Sequence, residues 1–154
     1  CSSGGAGTRG RASLAGGDTQ SAVDLFQSAT AADPRDKRAW ADLARAAVDA
    51  DDYTNARAAL VRLAGDPAYT ATVSYELGRI ALGEERYADA YAFFREVPET
   101  AYPDAALLMG RAALAEGNYA AARAAYARYI EIEPASDEAT EALSFISNTA
   151  AAKK

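Results

Sequence analysis

The stretch WADLARAAVDADDYTNARAAL, residues 40–60, decides the fold of this chain. Its first half places apolar and small residues at helical spacing around Ala44, and its second half repeats that spacing around Ala56. Between the two halves stands the polar pair Asp51-Asp52, followed by Tyr53. The stretch therefore predicts two amphipathic helices, joined by a short turn, that fold back on each other as a hairpin.

The same pattern recurs along the chain at nearly equal intervals, most clearly at Tyr53, Tyr87 and Tyr119. Each Tyr follows a polar pair, and it is followed by an alanine and then by a bulky apolar residue: Ala56 and Leu60, Ala90 and Phe94, Ala122 and Tyr126. Helices that lie before the turns share a small residue, at Gly10, Ala44, Gly78 and Gly110. Because one hairpin cannot bury its apolar face alone, we expect the repeats to stack.

These repeats divide the chain into three regions. We expect a flexible Ser/Gly-rich tether over residues 1–7, a helical repeat domain over 8–149 and a tail over 150–154. The predicted helices cover residues 6–15, 18–32, 36–50, 53–64, 70–83, 86–97, 104–116, 118–132 and 136–149. The last of them repeats only the first half of a unit and carries Leu143, Phe145 and Ile146. We expect it to cap the end of the stack.

This pattern resembles the tetratricopeptide repeat. Residues 37–134 match that family best, at Trp40, Leu43, Ala44, Tyr53, Ala56 and Leu60, at Leu77, Gly78, Tyr87, Ala90 and Phe94, and at Met109, Gly110, Tyr119, Ala122, Tyr126 and Pro134. The first hairpin continues the register at Gly17-Asp18, Ala22 and Phe26, with Thr19 in place of Tyr. The resemblance implies an all-α, TPR-like α-solenoid of about four helical hairpins plus a C-terminal capping helix. It also implies a scaffold that binds other proteins.

Composition argues against several other functions. The net charge is −6 and the basic residues form no cluster, so the chain is a poor candidate for binding nucleic acid. It has no histidine and a single cysteine, which removes the usual general base, the usual nucleophile pairs and a thiolate zinc site. We therefore predict no enzymatic activity, no metal site and no cofactor.

The glycine-rich segment near the start of the chain resembles a nucleotide-binding motif. Residues 5–10 satisfy the GxGxxG pattern and loosely sketch a phosphate-binding loop. Both motifs need a strand directly before the loop, and only four small or polar residues precede this one. We therefore predict no nucleotide site.

An arginine row is the strongest candidate for a binding site. Each first helix carries an arginine directly after its small residue and an aliphatic residue three positions later: Arg11 and Leu14, Arg45 and Val48, Arg79 and Leu82, Arg111 and Leu114. The resemblance places this face in the concave groove of the stack, where Tyr75 would add an aromatic anchor. Such a groove suits a partner segment that is part acidic and part apolar. The alternative is internal pairing, because Asp42 and Glu76 lie three residues before Arg45 and Arg79.

Most of the aromatic residues have a spacing that packing already explains. We expect Trp40, Tyr53, Phe94, Tyr119, Tyr126 and Phe145 in the core. Tyr69, Tyr102 and Tyr129 lie off that pattern, either in a second contact surface or at solvent-facing junctions.

The start of the chain, residues 1–5 (CSSGG), resembles a mature bacterial lipoprotein. That resemblance implies an acylated Cys1 and, through Ser2, a lipid anchor at the periplasmic face of the outer membrane. Among lipid-anchored repeat proteins it suggests a pilotin-type factor, which assists assembly of the secretin of a pilus or secretion system and binds a segment of it. The lipoproteins of tight-adherence pilus systems are similar in kind. The alternative is an adaptor subunit of another outer-membrane or cell-envelope complex. A soluble cytoplasmic co-chaperone is a third possibility, and it requires the cysteine at position 1 to be an accident.

Overall fold

The computed structural model describes residues 3–15 and 18–151, and within them it contains nine α-helices and no strand. In chain order these are α1 (Ser3–Ala15), α2 (Thr19–Ala32), α3 (Lys37–Asp49), α4 (Tyr53–Leu63), α5 (Thr70–Gly83), α6 (Tyr87–Arg95), α7 (Ala105–Ala115), α8 (Tyr119–Ile132) and α9 (Asp137–Ala151). A 3₁₀ turn, Pro67–Tyr69, precedes α5. Each predicted helix is present, and none of its ends shifts by more than one turn.

The chain forms two compact units, an N-terminal unit (Cys1–Glu76) and a C-terminal unit (Leu77–Lys154). Within the N-terminal unit α1 packs on α2, α2 on α3 and α3 on α4. Within the C-terminal unit α6 packs on α7, α7 on α8 and α8 on α9. Neighbours in sequence are thus neighbours in space, as a repeat of helical hairpins requires.

The largest departure from the predicted boundaries is at the start of α1. The helix begins at Ser3, so residues 3–7, predicted as tether, are helical. Glycine is a poor helix former, but Ala6 is buried against Ala29 and Ala39, and this packing outweighs the local preference. At the other end α9 runs to Ala151, into the predicted tail.

The turns inside the hairpins share one hydrogen-bonding pattern. The backbone N–H of Asp18, Asp52, Arg86 and Asn118 donates to the carbonyl five residues earlier, at 3.0, 2.8, 2.8 and 2.8 Å. The residue before three of these donors has a left-handed backbone, with φ of 56° at Asp51, 59° at Glu85 and 78° at Gly117. This is the Schellman ending of an α-helix, which suits glycine best. The polar pairs of the sequence are therefore a left-handed residue followed by the N-cap of the next helix.

Three of those N-caps use their side chains. Asp18, Asp52 and Asn118 accept hydrogen bonds from the backbone N–H three residues later, at 3.1, 3.1 and 3.2 Å. The fourth, Arg86, has no acceptor to offer and makes no side-chain cap. Its guanidinium instead pairs with Glu84 at 3.0 Å and Asp89 at 2.8 Å.

A contact between a small and a large residue holds the hairpins together. A Cβ built on the small residue of a first helix would lie 2.7 to 2.9 Å from the ring of an aromatic residue sixteen positions later, in the pairs Gly10–Phe26, Gly78–Phe94 and Gly110–Tyr126. All three rings are at most 2% exposed. The second hairpin has Ala44 and Leu60 at the same two positions, both buried. Where alanine replaces glycine in the first helix, leucine thus replaces the aromatic residue in the second, which keeps the packed volume similar.

We expect Gly110→Ala to destabilise the C-terminal unit by about 1–3 kcal/mol, because the new methyl group would overlap the ring of Tyr126. The double variant Gly110→Ala/Tyr126→Leu copies the Ala44–Leu60 pair and should recover part of that loss. Urea unfolding followed by circular dichroism measures both. Gly7→Ala is the control, because a Cβ there meets nothing within 4 Å. Additive effects of the two changes would contradict the steric coupling.

We expect Glu85→Gly to raise the free energy of unfolding by about 0.5–1 kcal/mol, because a left-handed conformation strains an L-residue but not glycine. That strain is about 1–2 kcal/mol, and the entropy that Gly loses on folding offsets part of the gain. The reciprocal change Gly117→Ala, at the equivalent position of the α7–α8 turn, should be destabilising by a similar amount. Thermal unfolding of both variants tests this, and equal shifts of the same sign would refute it.

Candidate partner-binding site

In each unit the predicted arginines lie at the equivalent position of the first helices. Arg11, Arg45 and Arg111 are exposed and Arg79 is half-buried, on α1, α3, α7 and α5 respectively. Each directly follows the small residue of its helix, so it lies about 100° round the helix axis from the face that meets the second helix. That rotation brings the guanidiniums to the surface.

In the N-terminal unit two arginines converge on one carboxylate. Nε and Nη2 of Arg11 donate to Oδ2 of Asp42 at 2.9 and 2.5 Å. Nη2 of Arg45 lies 3.6 Å from Oδ1 of the same carboxylate, which is too long for a hydrogen bond. Asp42 is 13% exposed, whereas Arg11 and Arg45 are 43% and 52% exposed. Because one negative charge meets two positive ones, this cluster has a surplus cation at the surface, mainly on Arg45.

In the C-terminal unit Arg111 is neutralised by the chain itself. Its Nε and Nη2 donate to the two carboxylate oxygens of Glu138, both at 2.5 Å. This two-pronged geometry is the strongest that Arg forms with a carboxylate. The hydrogen bond from Arg111 holds the pKa of Glu138 below its ordinary value, and the same bond raises the pKa of Arg111.

The internal-pairing alternative is confirmed for Arg45, which forms an ion pair with Asp42, and two further pairs join different helices. Arg45 does face Asp42 from the next turn of α3, yet the stronger partner of Asp42 is Arg11, on α1. The partner of Arg111 lies on α9. Helical periodicity finds pairs within one helix, whereas these pairs link first helices of neighbouring hairpins. Glu76, the predicted partner of Arg79, is buried at 1% exposure.

The described apolar residues of the predicted groove are less exposed than its exposed arginines. Val48 is 5% exposed and Tyr75 is 8% exposed, so neither offers a surface to a partner. Val48 follows Ala44 by four residues, which turns it only about 40° from the buried face. Leu114 is half-buried against the C-terminal core that includes Ile146, and Leu82 is half-buried. The side chain of Leu14 lies outside the described residues.

The N-terminal unit has a surface recess that was not predicted from the sequence. This α2–α4 recess has a free volume of about 440 Å³ and is lined by Gln27, Thr30, Ala31, Pro34, Trp40, Leu43, Asn55, Ala58, Ala59 and Arg62. Trp40, predicted as core, is half-buried and forms its wall, with Nε1 donating to the Pro34 carbonyl at 3.0 Å. The guanidinium carbon of Arg62 lies 5.3 Å from the centre of the Trp40 ring, a cation–π contact.

Phe145 is a second aromatic residue for which the predicted core position is wrong. It is 53% exposed, and its ring meets Tyr119 edge-on at 6.4 Å. Ile146, its neighbour, is buried in the C-terminal core. Helix α9 therefore covers that core with one face and leaves Phe145 on the surface. Phe94 and Tyr126 are buried as predicted, whereas Tyr53 and Tyr119 are half-buried.

Over residues 3–15 and 18–151, no cluster of Asp, Glu, His or Cys has a geometry that would hold a metal ion. None of the helices in these ranges combines the length and apolar character of a membrane span. Cys1, the predicted lipidation site, lies outside the described residues.

The tetratricopeptide repeat model matches residues 13–70 and 71–144, which together make up most of the chain. The chain belongs to the tetratricopeptide repeat family. Three solved structures with the same fold carry the descriptions "Crystal structure of MamA", "Crystal structure of MamA protein" and "MamA RS-1 ArsTM double mutant". Their TM-scores are 0.77, 0.76 and 0.77, at 20%, 20% and 18% identity. They cover 92%, 94% and 94% of this chain and 84%, 80% and 82% of their own.

These comparisons confirm the predicted fold class, an all-α TPR-like α-solenoid. At this level of identity the likeness to MamA extends to the fold alone. No curated protein sequence matches the chain significantly. Membership of the tetratricopeptide repeat family implies a scaffold for protein interactions, which is the coarse function that the sequence predicted.

The Arg111–Glu138 pair should make stability depend on pH. Because the pKa of Glu138 is lowered on folding, its contribution is fully present above its unfolded pKa of about 4.3 and is lost as the pH falls through the folded value. Both side chains are nearly half exposed, so we expect Glu138→Gln to cost roughly 0.5–1 kcal/mol at pH 7. Below about pH 3 the variant and the parent should unfold alike.

Urea unfolding at pH 7 and at low pH measures this difference. Glu141→Gln is the matched control, one turn further along α9 and exposed. A loss of stability in Glu138→Gln that does not change with pH would argue against the ion pair as its cause.

Proposed function

We propose that this protein is a non-catalytic scaffold, anchored by a lipid on Cys1, that binds a segment of another protein on the first helices of its hairpins. The observation that carries the proposal is the surplus cation at Arg11, Asp42 and Arg45, on the surface of a tetratricopeptide repeat protein. An acidic side chain of the partner would complete this cluster, because Arg45 can donate to a second carboxylate without releasing Asp42 from Arg11. Arg111 is a weaker candidate, since a partner would have to displace Glu138.

The specific role we propose is that of a pilotin-type factor at the periplasmic face of the outer membrane. It would hold a segment of a secretin and assist assembly of the secretin ring of a pilus or secretion system. Two features support this role: the lipoprotein-like start of the sequence, residues 1–5, and a small tetratricopeptide repeat fold that can act as a scaffold for protein interactions. The alternative is an adaptor subunit of another outer-membrane or cell-envelope complex, bound through other faces of the same scaffold.

We expect the protein, purified from membranes in mild detergent, to carry acyl chains on Cys1 and to bring a secretin with it. Mass spectrometry of the intact protein and of its companions measures both. An unmodified Cys1 would remove the anchor, and a different envelope complex as the main companion would favour the alternative.

The variant Arg45→Glu should lose the partner while keeping its helical content, because it removes the surplus cation and leaves the Arg11–Asp42 pair intact. Arg38→Glu is the matched control, an exposed arginine on the same helix but off the row. Retention of the partner by Arg45→Glu, at the level of Arg38→Glu, would show that binding does not use the row.

A further inference from the structure

The two units contain equivalent recesses at the same place in the repeat. Besides the α2–α4 recess, a cavity in the C-terminal unit is lined by Phe94, Arg95, Val97, Glu99, Ala105, Ala106, Met109 and Arg128. The repeat register aligns the two linings at Gln27 with Arg95, Trp40 with Ala106, Leu43 with Met109 and Arg62 with Arg128. The two spaces are therefore equivalent. In the N-terminal unit the space lies between α2, α3 and the arginine of α4, and in the C-terminal unit it lies between α6, α7 and the arginine of α8.

In the C-terminal unit the chain fills this space with its own linker. Val97 is buried at 7% exposure in the cavity wall, and Glu99 forms an ion pair with Arg128. Oε1 of Glu99, the oxygen that faces the guanidinium, is buried, although 32% of the Glu99 side chain is exposed. The remaining free volume is only about 40 Å³. An aliphatic side chain and a carboxylate two positions later thus line the cavity together and leave little of it open.

Helix length explains why only one unit has this filling. Helix α6 has nine residues and ends at Arg95, because Pro98 cannot donate to the helical ladder and disfavours a helical Val97 before it. The chain then turns tightly, with the N–H groups of Ala101 and Tyr102 donating to the Pro98 carbonyl at 2.9 and 3.1 Å. Helix α2 is longer, at 14 residues, and its last turns form a wall of the recess instead of entering it.

The recess of the N-terminal unit is consequently open and has a cation at its rim. Its free volume is about 440 Å³, and alanines at positions 31, 58 and 59 leave room beside the Trp40 ring. Arg62 is exposed and makes a cation–π contact with that ring, and within the described ranges of the chain no carboxylate pairs with it. Its equivalent, Arg128, does have a carboxylate partner in Glu99.

We propose that the α2–α4 recess is a second docking site, for an extended segment of another protein in which an aliphatic residue is followed two positions later by Glu. The aliphatic side chain packs against Trp40 and the alanines, and the carboxylate pairs with Arg62. The C-terminal unit supplies the template for this chemistry in Val97, Glu99 and Arg128. The site is separate from the arginine row, so either can fail without the other.

Trp40 makes the test direct, because it is the one tryptophan of the sequence and lies in the recess wall. The probe is the capped peptide Glu-Val-Pro-Glu-Thr-Ala, residues 96–101 of this chain, which contains no aromatic residue. We expect a saturable change in Trp40 emission as the peptide is added up to about 10 mM, since a short flexible segment binds weakly. Peptides with Ser in place of Val, or Gln in place of the second Glu, should bind about tenfold more weakly or not at all.

Variants of the full chain locate the effect. Arg62→Glu should abolish the emission change while its circular dichroism matches the parent, whereas Arg38→Glu, an exposed arginine outside the recess lining, should bind like the parent. No saturable change with the parent, or equal binding by Arg62→Glu or by the Gln peptide, would overturn the proposal. Sedimentation velocity supplies a further check: self-association that Arg62→Glu removes would make a second copy of this chain the occupant and would also overturn it.

Discussion

The distance between the two helices of a hairpin depends on one contact, that between the small residue of the first helix and the large residue sixteen positions later. Where the small residue is Gly110, the ring of Tyr126 lies against helix backbone, closer than a Cβ would allow. Where it is Ala44, the large residue is Leu60. The volumes change in opposite directions, which shows that the separation of the helices is what the repeat maintains.

This contact also determines which residues reach the surface. The residue directly after the small one is rotated by about 100° about the helix axis and becomes exposed. The residue four positions after the small one is rotated by only about 40° and stays near the buried face. Arg45 and Val48 illustrate the two outcomes, at 52% and 5% exposure. The position of the arginines at the surface is therefore a consequence of hairpin packing. What differs is the pairing: Glu138 pairs with one arginine, Arg111, whereas Asp42 is shared by Arg11 and Arg45.

Features that depend on spacing within one helix or one turn could be predicted from the sequence. The helices, the register of the repeats and the exposed arginines are of this kind. Pairs between first helices could not, because the offset between partners is not constant: the Arg11–Asp42 pair spans more of the sequence than the Arg111–Glu138 pair. The helical start of α1 was missed for a related reason, since burial of Ala6 by distant residues outweighed its glycine-rich neighbourhood.

The recesses show why repeats of similar sequence need not offer similar surfaces. Hairpin packing is repeated, but the linkers between hairpins are not, and Pro98 ends α6 several residues before the equivalent point of α2. The released segment brings Val97 and Glu99 into a space that the N-terminal unit leaves open around Trp40 and Arg62. Single-residue patterns such as an arginine row indicate which faces of a repeat protein are exposed. The lengths of its helices decide which of the spaces between them are filled, and hence where a ligand can enter.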